Sequence, residues 1–200
     1  MIKTILIAIL LTTTLSYTAS CRPYIPYLKT YSEKYLGEDF PYWYFIGQDY
    51  QESNCRFVIS YDGVGSESPA QITWKIWKRY LKSYGIKNLR TIDSFTKAQV
   101  LIMKRLIHKA NKKGYKQLWI PFQAYNGGWL VLKETKRTPL NKGILMQHDV
   151  KSYCRRKTIT FKNGSTRKAC DINYNYPIEI ATWVAKYYSD FIKETSWHMW

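Results

Sequence analysis

The strongest constraint on the fold lies between Phe95 and Ile107. Phe95, Ala98, Val100, Leu101, Ile102, Met103, Leu106 and Ile107 occupy that span at spacings that cover more than one face of a helix. A helix that is apolar on several sides must be wrapped by other elements. The segment therefore predicts a central buried helix, capped by Asp93 or Ser94, running to about Lys113 and stopped at Gly114. His108 lies on it and reads as a partnered structural histidine.

The wrapping elements can be read on either side. Pro41 opens a predicted helix through about Ser53, with Trp43, Tyr44, Ile46, Gly47 and Tyr50 suited to close packing. Ser68-Pro69 has the form of an N-cap and first turn. The helix expected from it carries Ile72, Ile76, Trp77, Tyr80, Leu81 and Tyr84 and stops at Gly85. Its other face, Lys75, Lys78, Arg79 and Lys82, reads as a solvated basic face. A short helix or turn should span 117–125, broken by Gly127-Gly128, with a brief strand at 129–132. Residues 133–150 form a polar connection. Residues 151–171 read as a β-hairpin turning at Asn163-Gly164. Pro177 should start a last helix carrying Ile178, Ala181, Val184, Ala185, Tyr188, Phe191 and Ile192. Residues 22–37 show no clear period. The class expected is mainly α, with a hairpin insertion at about 151–172. The domain runs from 40 to 194, between a lead-in (21–39) and a tail (195–200).

The chain begins like an exported protein. Lys3 precedes the apolar run from Ile5 to Leu11, and Thr18-Ala19-Ser20 offers a small-residue exit, so residues 1–20 read as a signal peptide. Cys21 follows directly and is a candidate lipidation site, which would anchor the protein to an outer membrane from the periplasm. Simple secretion is the second reading, and an uncleaved anchor the third. Export permits disulfides. Cys154 and Cys170 flank the hairpin and form the expected bridge. That leaves Cys55 as a small buried residue, free, or joined to Cys21.

The formal net charge is +17, unevenly placed: from Lys75 to Lys116 the only acid is Asp93, and from Lys151 to Cys170 there is none. Such a field attracts polyanions, whether nucleic acid, anionic lipid or acidic cell-wall polymer. The 8 Trp and 18 Tyr exceed what a core needs and suit a groove that stacks sugar rings. No metal-ligand spacing, dinucleotide loop or serine nucleophile elbow is present in the sequence. Glu52 stands out among the few carboxylates. It falls at a predicted helix C-terminus, where the dipole disfavours negative charge and favours a raised pKa.

Glu52-Ser53, the loop Gly65-Ser66 to Gln71, and Ala124-Tyr125-Asn126-Gly127-Gly128 follow in that order. The set resembles the soluble-type lytic transglycosylases, a lysozyme-like (SLT) domain family. That family shows Glu-Ser, a loop ending Gly-Leu-Met-Gln, and a later Ala-Tyr-Asn-(Ala/Gly)-Gly. Glu179 with Trp183-Val184 looks like the family's closing helix. The likeness covers roughly 40–192. Three departures stand out. Ser68-Pro69-Ala70 replaces Gly-Leu-Met, Cys55-Arg56 replaces a common aromatic, and Tyr176 lies one place from the family's tyrosine.

The resemblance implies a lysozyme-like α+β fold and cleavage of peptidoglycan between N-acetylmuramic acid and N-acetylglucosamine, giving a 1,6-anhydro product. Glu52 would be the single general acid and base, and Ser53 would orient it. Gln71, Tyr125 and Asn126 would hold sugar and acetamido groups, with Glu179 also at the substrate. It implies glycan strands as partner, a monomer, and neither cofactor nor metal; nucleic acid is not expected. A two-carboxylate scheme would need Asp62, Glu67 or Asp93 across the cleft. The alternatives are a goose-type, lysozyme-like muramidase that hydrolyses, and a non-catalytic cationic envelope-binding protein.

Overall fold

The computed structural model describes residues 20–60, 65–128, 158–160 and 163–196, without the side chains of 169, 170 and 188–196. The described chain is mainly helical, with two small two-stranded sheets. α4, Ile92–Asn111, is the central helix. Phe95, Ala98 and Val100–Met103 are buried on it, so the multi-sided apolar pattern has its physical outcome. Its cap differs from the expected one. Thr91 accepts from the Ser94 backbone, and Ser94 Oγ accepts from the Thr91 backbone N–H, which forms a capping box. His108 is exposed rather than partnered inside the core.

The lead-in is not irregular. A 3₁₀ turn at Arg22–Tyr24 runs into helix α1, Ile25–Leu36, which packs along α4. Its buried stripe is narrow: Leu28 and Ser32 are enclosed, while Tyr31 and Tyr35 are only part-buried. Tyrosines at these positions blur the apolar period. Gly37 ends the helix at φ 110, a conformation that favours glycine. Cys21 and Cys55 are joined by a disulfide with Cα atoms 5.2 Å apart, and Tyr24 donates to the Cys55 carbonyl at 2.9 Å. This pairing corrects the lipidation reading, because a sulfur in a disulfide cannot carry a thioether-linked lipid.

Helix α2 spans Trp43–Ser53, and Phe45, Ile46, Gly47, Gln48 and Asp49 are buried on it. A methyl group on Gly47 would meet the Ile180 carbonyl oxygen at 2.7 Å and Val184 Cγ2 at 2.8 Å. Glycine is therefore what lets α2 lie against the last helix. That helix, α6, spans Ala169–Ser196 and contains Pro177 rather than starting at it. The proline was a misleading start signal; it removes one N–H from a helix whose neighbours hold it in place. The 195–200 tail begins inside it, at 195 and 196.

The 65–73 segment also departs from expectation. Ser66–Glu67 (β1) and Ile72–Thr73 (β2) pair antiparallel, Ser66 opposite Thr73. The turn between them places Ser68 at φ 76 and Gln71 at φ 50, both left-handed. Ser68-Pro69 therefore caps no helix. Helix α3 starts later, at Trp74, and runs to Lys82. Helix α5 covers Trp119–Gly127 and packs against α4 and α6. Asn173 of α6 sits where a Gly127 side chain would be, so the first glycine of Gly127-Gly128 serves close approach. The expected hairpin is present as β3, Thr158–Thr160, and β4, Thr166–Lys168, antiparallel about Asn163-Gly164. The expected strand at 129–132 and the Cys154–Cys170 bridge lie outside the described residues. Among the described residues, no helix is long and apolar enough to cross a membrane.

Candidate active site

The C-terminal turn of α2, the 66–73 turn, α3, α4 and the end of α5 enclose a cleft of about 1120 Å³. Glu52, Gln71, Tyr125, Asn126, Gly127 and Gly128 all line it. Motifs separated by more than fifty residues in sequence thus meet in one place. Tyr125 joins the two walls: its hydroxyl donates to the Ala70 carbonyl at 2.8 Å. Burial, with Glu52 and Asp49 nearby, holds that phenol well above its ordinary pKa, so it stays neutral.

Glu52 stands at the end of α2, where the backbone turns through two left-handed residues, Asn54 (φ 55) and Cys55 (φ 59). Asn54 N–H reaches the Tyr50 carbonyl at 2.9 Å and Cys55 N–H the Asp49 carbonyl at 3.0 Å. The disulfide to Cys21 fixes this corner from outside. Glu52 Oε1 accepts from the Tyr176 hydroxyl at 2.5 Å. Burial pushes the Glu52 carboxyl up to about 7, against the opposing pull of that hydrogen bond. A carboxyl poised near neutrality can deliver a proton and take one back.

Behind Glu52 lies a buried polar chain that the motif reading missed. Gln48 Nε2 donates to the Tyr176 hydroxyl at 3.1 Å. Gln99 Nε2 donates to Gln48 Oε1 and to Asp49 Oδ1, both at 3.0 Å. Since Gln48 supplies a donor to Tyr176, the tyrosine's own hydrogen is left for Glu52. Asp49 is fully buried, and desolvation raises its pKa well above the usual carboxylate range despite the hydrogen bond from Gln99. A signal for Gln48 and Asp49 existed in the sequence. They stand four and three residues before Glu52, on the same side of the helix.

Two expected roles are not met. Ser53 does not orient Glu52: its Oγ donates to the Asp49 carbonyl at 3.2 Å and accepts from Arg56 N–H at 3.1 Å, closing the helix end. Glu179 is not among the cleft-lining residues. Its Oε2 accepts from Gln51 Nε2 at 2.6 Å, and Gln51 Oε1 accepts from Trp183 Nε1 at 2.9 Å, which ties α2 to α6. Tyr176 of α6 touches the acid instead. Gln71 is not at a helix start. Its side-chain amide donates to the Val58 and Ser68 carbonyls at 3.0 and 2.9 Å, which holds the strained turn while Gln71 faces the cleft.

Glu52 is the only carboxylate among the described residues that line the cleft. Glu67 lies on β1 away from that lining, and Asp93 accepts a hydrogen bond from Tyr31 at the far end of α4. Asp62 lies outside the described residues. No protein-family model, curated protein or solved structure matches this chain.

Proposed function

We propose that the chain is an exported peptidoglycan lytic transglycosylase with a lysozyme-like domain. One observation carries the reading: Glu52, the one carboxylate among the described residues that line a large cleft, is raised to about 7 and held by a tyrosine. Protonated Glu52 donates to the glycosidic oxygen between N-acetylmuramic acid and N-acetylglucosamine. The substrate's acetamido group stabilises the cationic centre. The Glu52 carboxylate then takes the proton from the muramoyl C6 hydroxyl, and a 1,6-anhydro ring closes. This sequence needs one carboxylate that serves as acid and then as base. A hydrolytic scheme with a second carboxylate across the cleft finds no partner among the described lining residues.

Tyr125 and Asn126 line the cleft with the acid, and sugar and acetamido groups would bind there. Part of the aromatic surplus also lies there, as Trp77 and Tyr80. The Cys21–Cys55 disulfide supports export to an oxidising compartment. Glu52→Gln keeps shape and hydrogen-bond acceptor but removes the proton donor. The variant should lose wall-degrading activity by a factor of roughly 10² or more. Retained activity in a correctly folded variant would sink the proposal.

A further inference from the structure

The wall of the cleft formed by α3 and α4 is cationic. Arg79, Arg105 and Lys109 line it, together with Trp77 and Tyr80. Helix α3 carries Lys75, Lys78, Arg79 and Lys82 and no acid. Arg105 is pre-positioned: its guanidinium carbon lies 4.7 Å from the centroid of the Tyr80 ring, and the Tyr80 hydroxyl donates to the Leu101 carbonyl at 3.1 Å. A cation–π contact holds a guanidinium over the ring and leaves N–H groups to bind an anion. Arg79 and Arg105 are exposed, and no acidic side chain among the described residues pairs with either.

A neutral sugar strand requires no such wall. Guanidinium groups offer donors only, in a fork that fits carboxylate or phosphate. We propose that this wall is a subsite for the carboxylates of the peptide arm carried on the muramic sugar. The inference rests on the transglycosylase reading. The arm hangs from a ring at the cleaved bond, so a strand threaded past Glu52 brings it to the mouth of the same cleft. A phosphate polymer attached elsewhere on the strand need not come to it.

The test uses the Glu52→Gln protein, so that ligand survives. Its calorimetric affinity is measured for a muramyl-glucosaminyl tetrasaccharide with its acidic peptide arms and for the same tetrasaccharide stripped of them. The peptide-bearing ligand should bind roughly tenfold tighter or more. Arg79→Ala or Arg105→Ala added to Glu52→Gln should erase most of that advantage and leave the stripped ligand unaffected. Arg79 is exposed, so its variant serves if Arg105→Ala disturbs the Tyr80 packing. Equal binding of both ligands, indifferent to either arginine, overturns the subsite and leaves the proposed function standing. Failure of both ligands to bind overturns the proposed function and the subsite with it. Competition by a glycerol phosphate polymer, without any peptide effect, reassigns the wall to phosphate and overturns the peptide assignment.

Discussion

Glu52→Gln should stabilise the protein at pH 8 and leave its stability unchanged at pH 4. The folded state raises the Glu52 carboxyl from 4.5 to about 7, chiefly by burial. An acid whose pKa is raised on folding is held more tightly as its neutral form. The associated stability is complete below pH 4.5 and is lost as pH rises through 7. Each unit is worth about 1.4 kcal/mol, so the wild type forfeits about 3 kcal/mol by pH 8. Glutamine mimics the neutral carboxyl and still offers an oxygen to the Tyr176 hydroxyl, which lies 2.5 Å from Glu52 Oε1. Asp49 is common to both proteins, so its burial cancels, while relief of its repulsion by the Glu52 charge adds to the variant's gain at high pH. Equilibrium urea unfolding at pH 4, 5.5, 7 and 8 reads the gap directly. It should grow from nothing to a midpoint shift on the order of 1.5 M in favour of the variant. A gap independent of pH, or one that widens toward acid, would refute the claim that Glu52 is desolvated.

Three further outcomes follow from named contacts. Tyr176→Phe removes the hydrogen bond that lowers the Glu52 pKa, so the alkaline limb of kcat/KM against pH, near 7 in the wild type, should move upward; a downward move would contradict the assignment. Cys55→Ser opens a cross-link between residues 34 apart, which by loop entropy stabilises by about 4 kcal/mol, measured as lost unfolding free energy under non-reducing conditions. Gly47→Ala drives a methyl group against the Ile180 carbonyl and Val184, at a cost of about 1–3 kcal/mol in thermal or urea unfolding.

The central helix was legible because its apolar residues cover several faces, a pattern that leaves few alternatives to burial. The hairpin was legible because Asn163-Gly164 marks a turn between two strand-like runs, although the register, with Thr160 opposite Thr166, makes the connection longer than two residues. Helix α1 was not, since its buried stripe is Leu28 and Ser32 and its tyrosines read equally as loop residues. Ser68-Pro69 was misread for a local reason. The pair looks like a helix start, but Ser66 Oγ and Thr73 Oγ1, 2.8 Å apart, and the Gln71 amide hold the segment as a hairpin turn. Pro177 misled in the same way. In the site, Glu52 stood out at a helix end, and Gln71, Tyr125 and Asn126 came from the motifs of the resemblance; the four line one cleft. Ser53 and Glu179 were assigned by the resemblance, and a motif match does not say where a side chain points. Gln48 and Asp49 carried only their helical spacing from Glu52 as a signal, and Gln99 carried none, because nothing local marks a polar side chain as buried. Their partners come from α4 and α6, far away in the chain.

The measurement that bears most directly on the central claim is mass spectrometry of muropeptides after digestion of purified peptidoglycan by the mature protein, beside its Glu52→Gln variant. Single-carboxylate chemistry predicts 1,6-anhydro-muramoyl ends from the wild type and none from the variant. Reducing muramic ends would contradict it and identify hydrolysis, the goose-type alternative. Anhydro products made equally by the variant would remove Glu52 from the reaction.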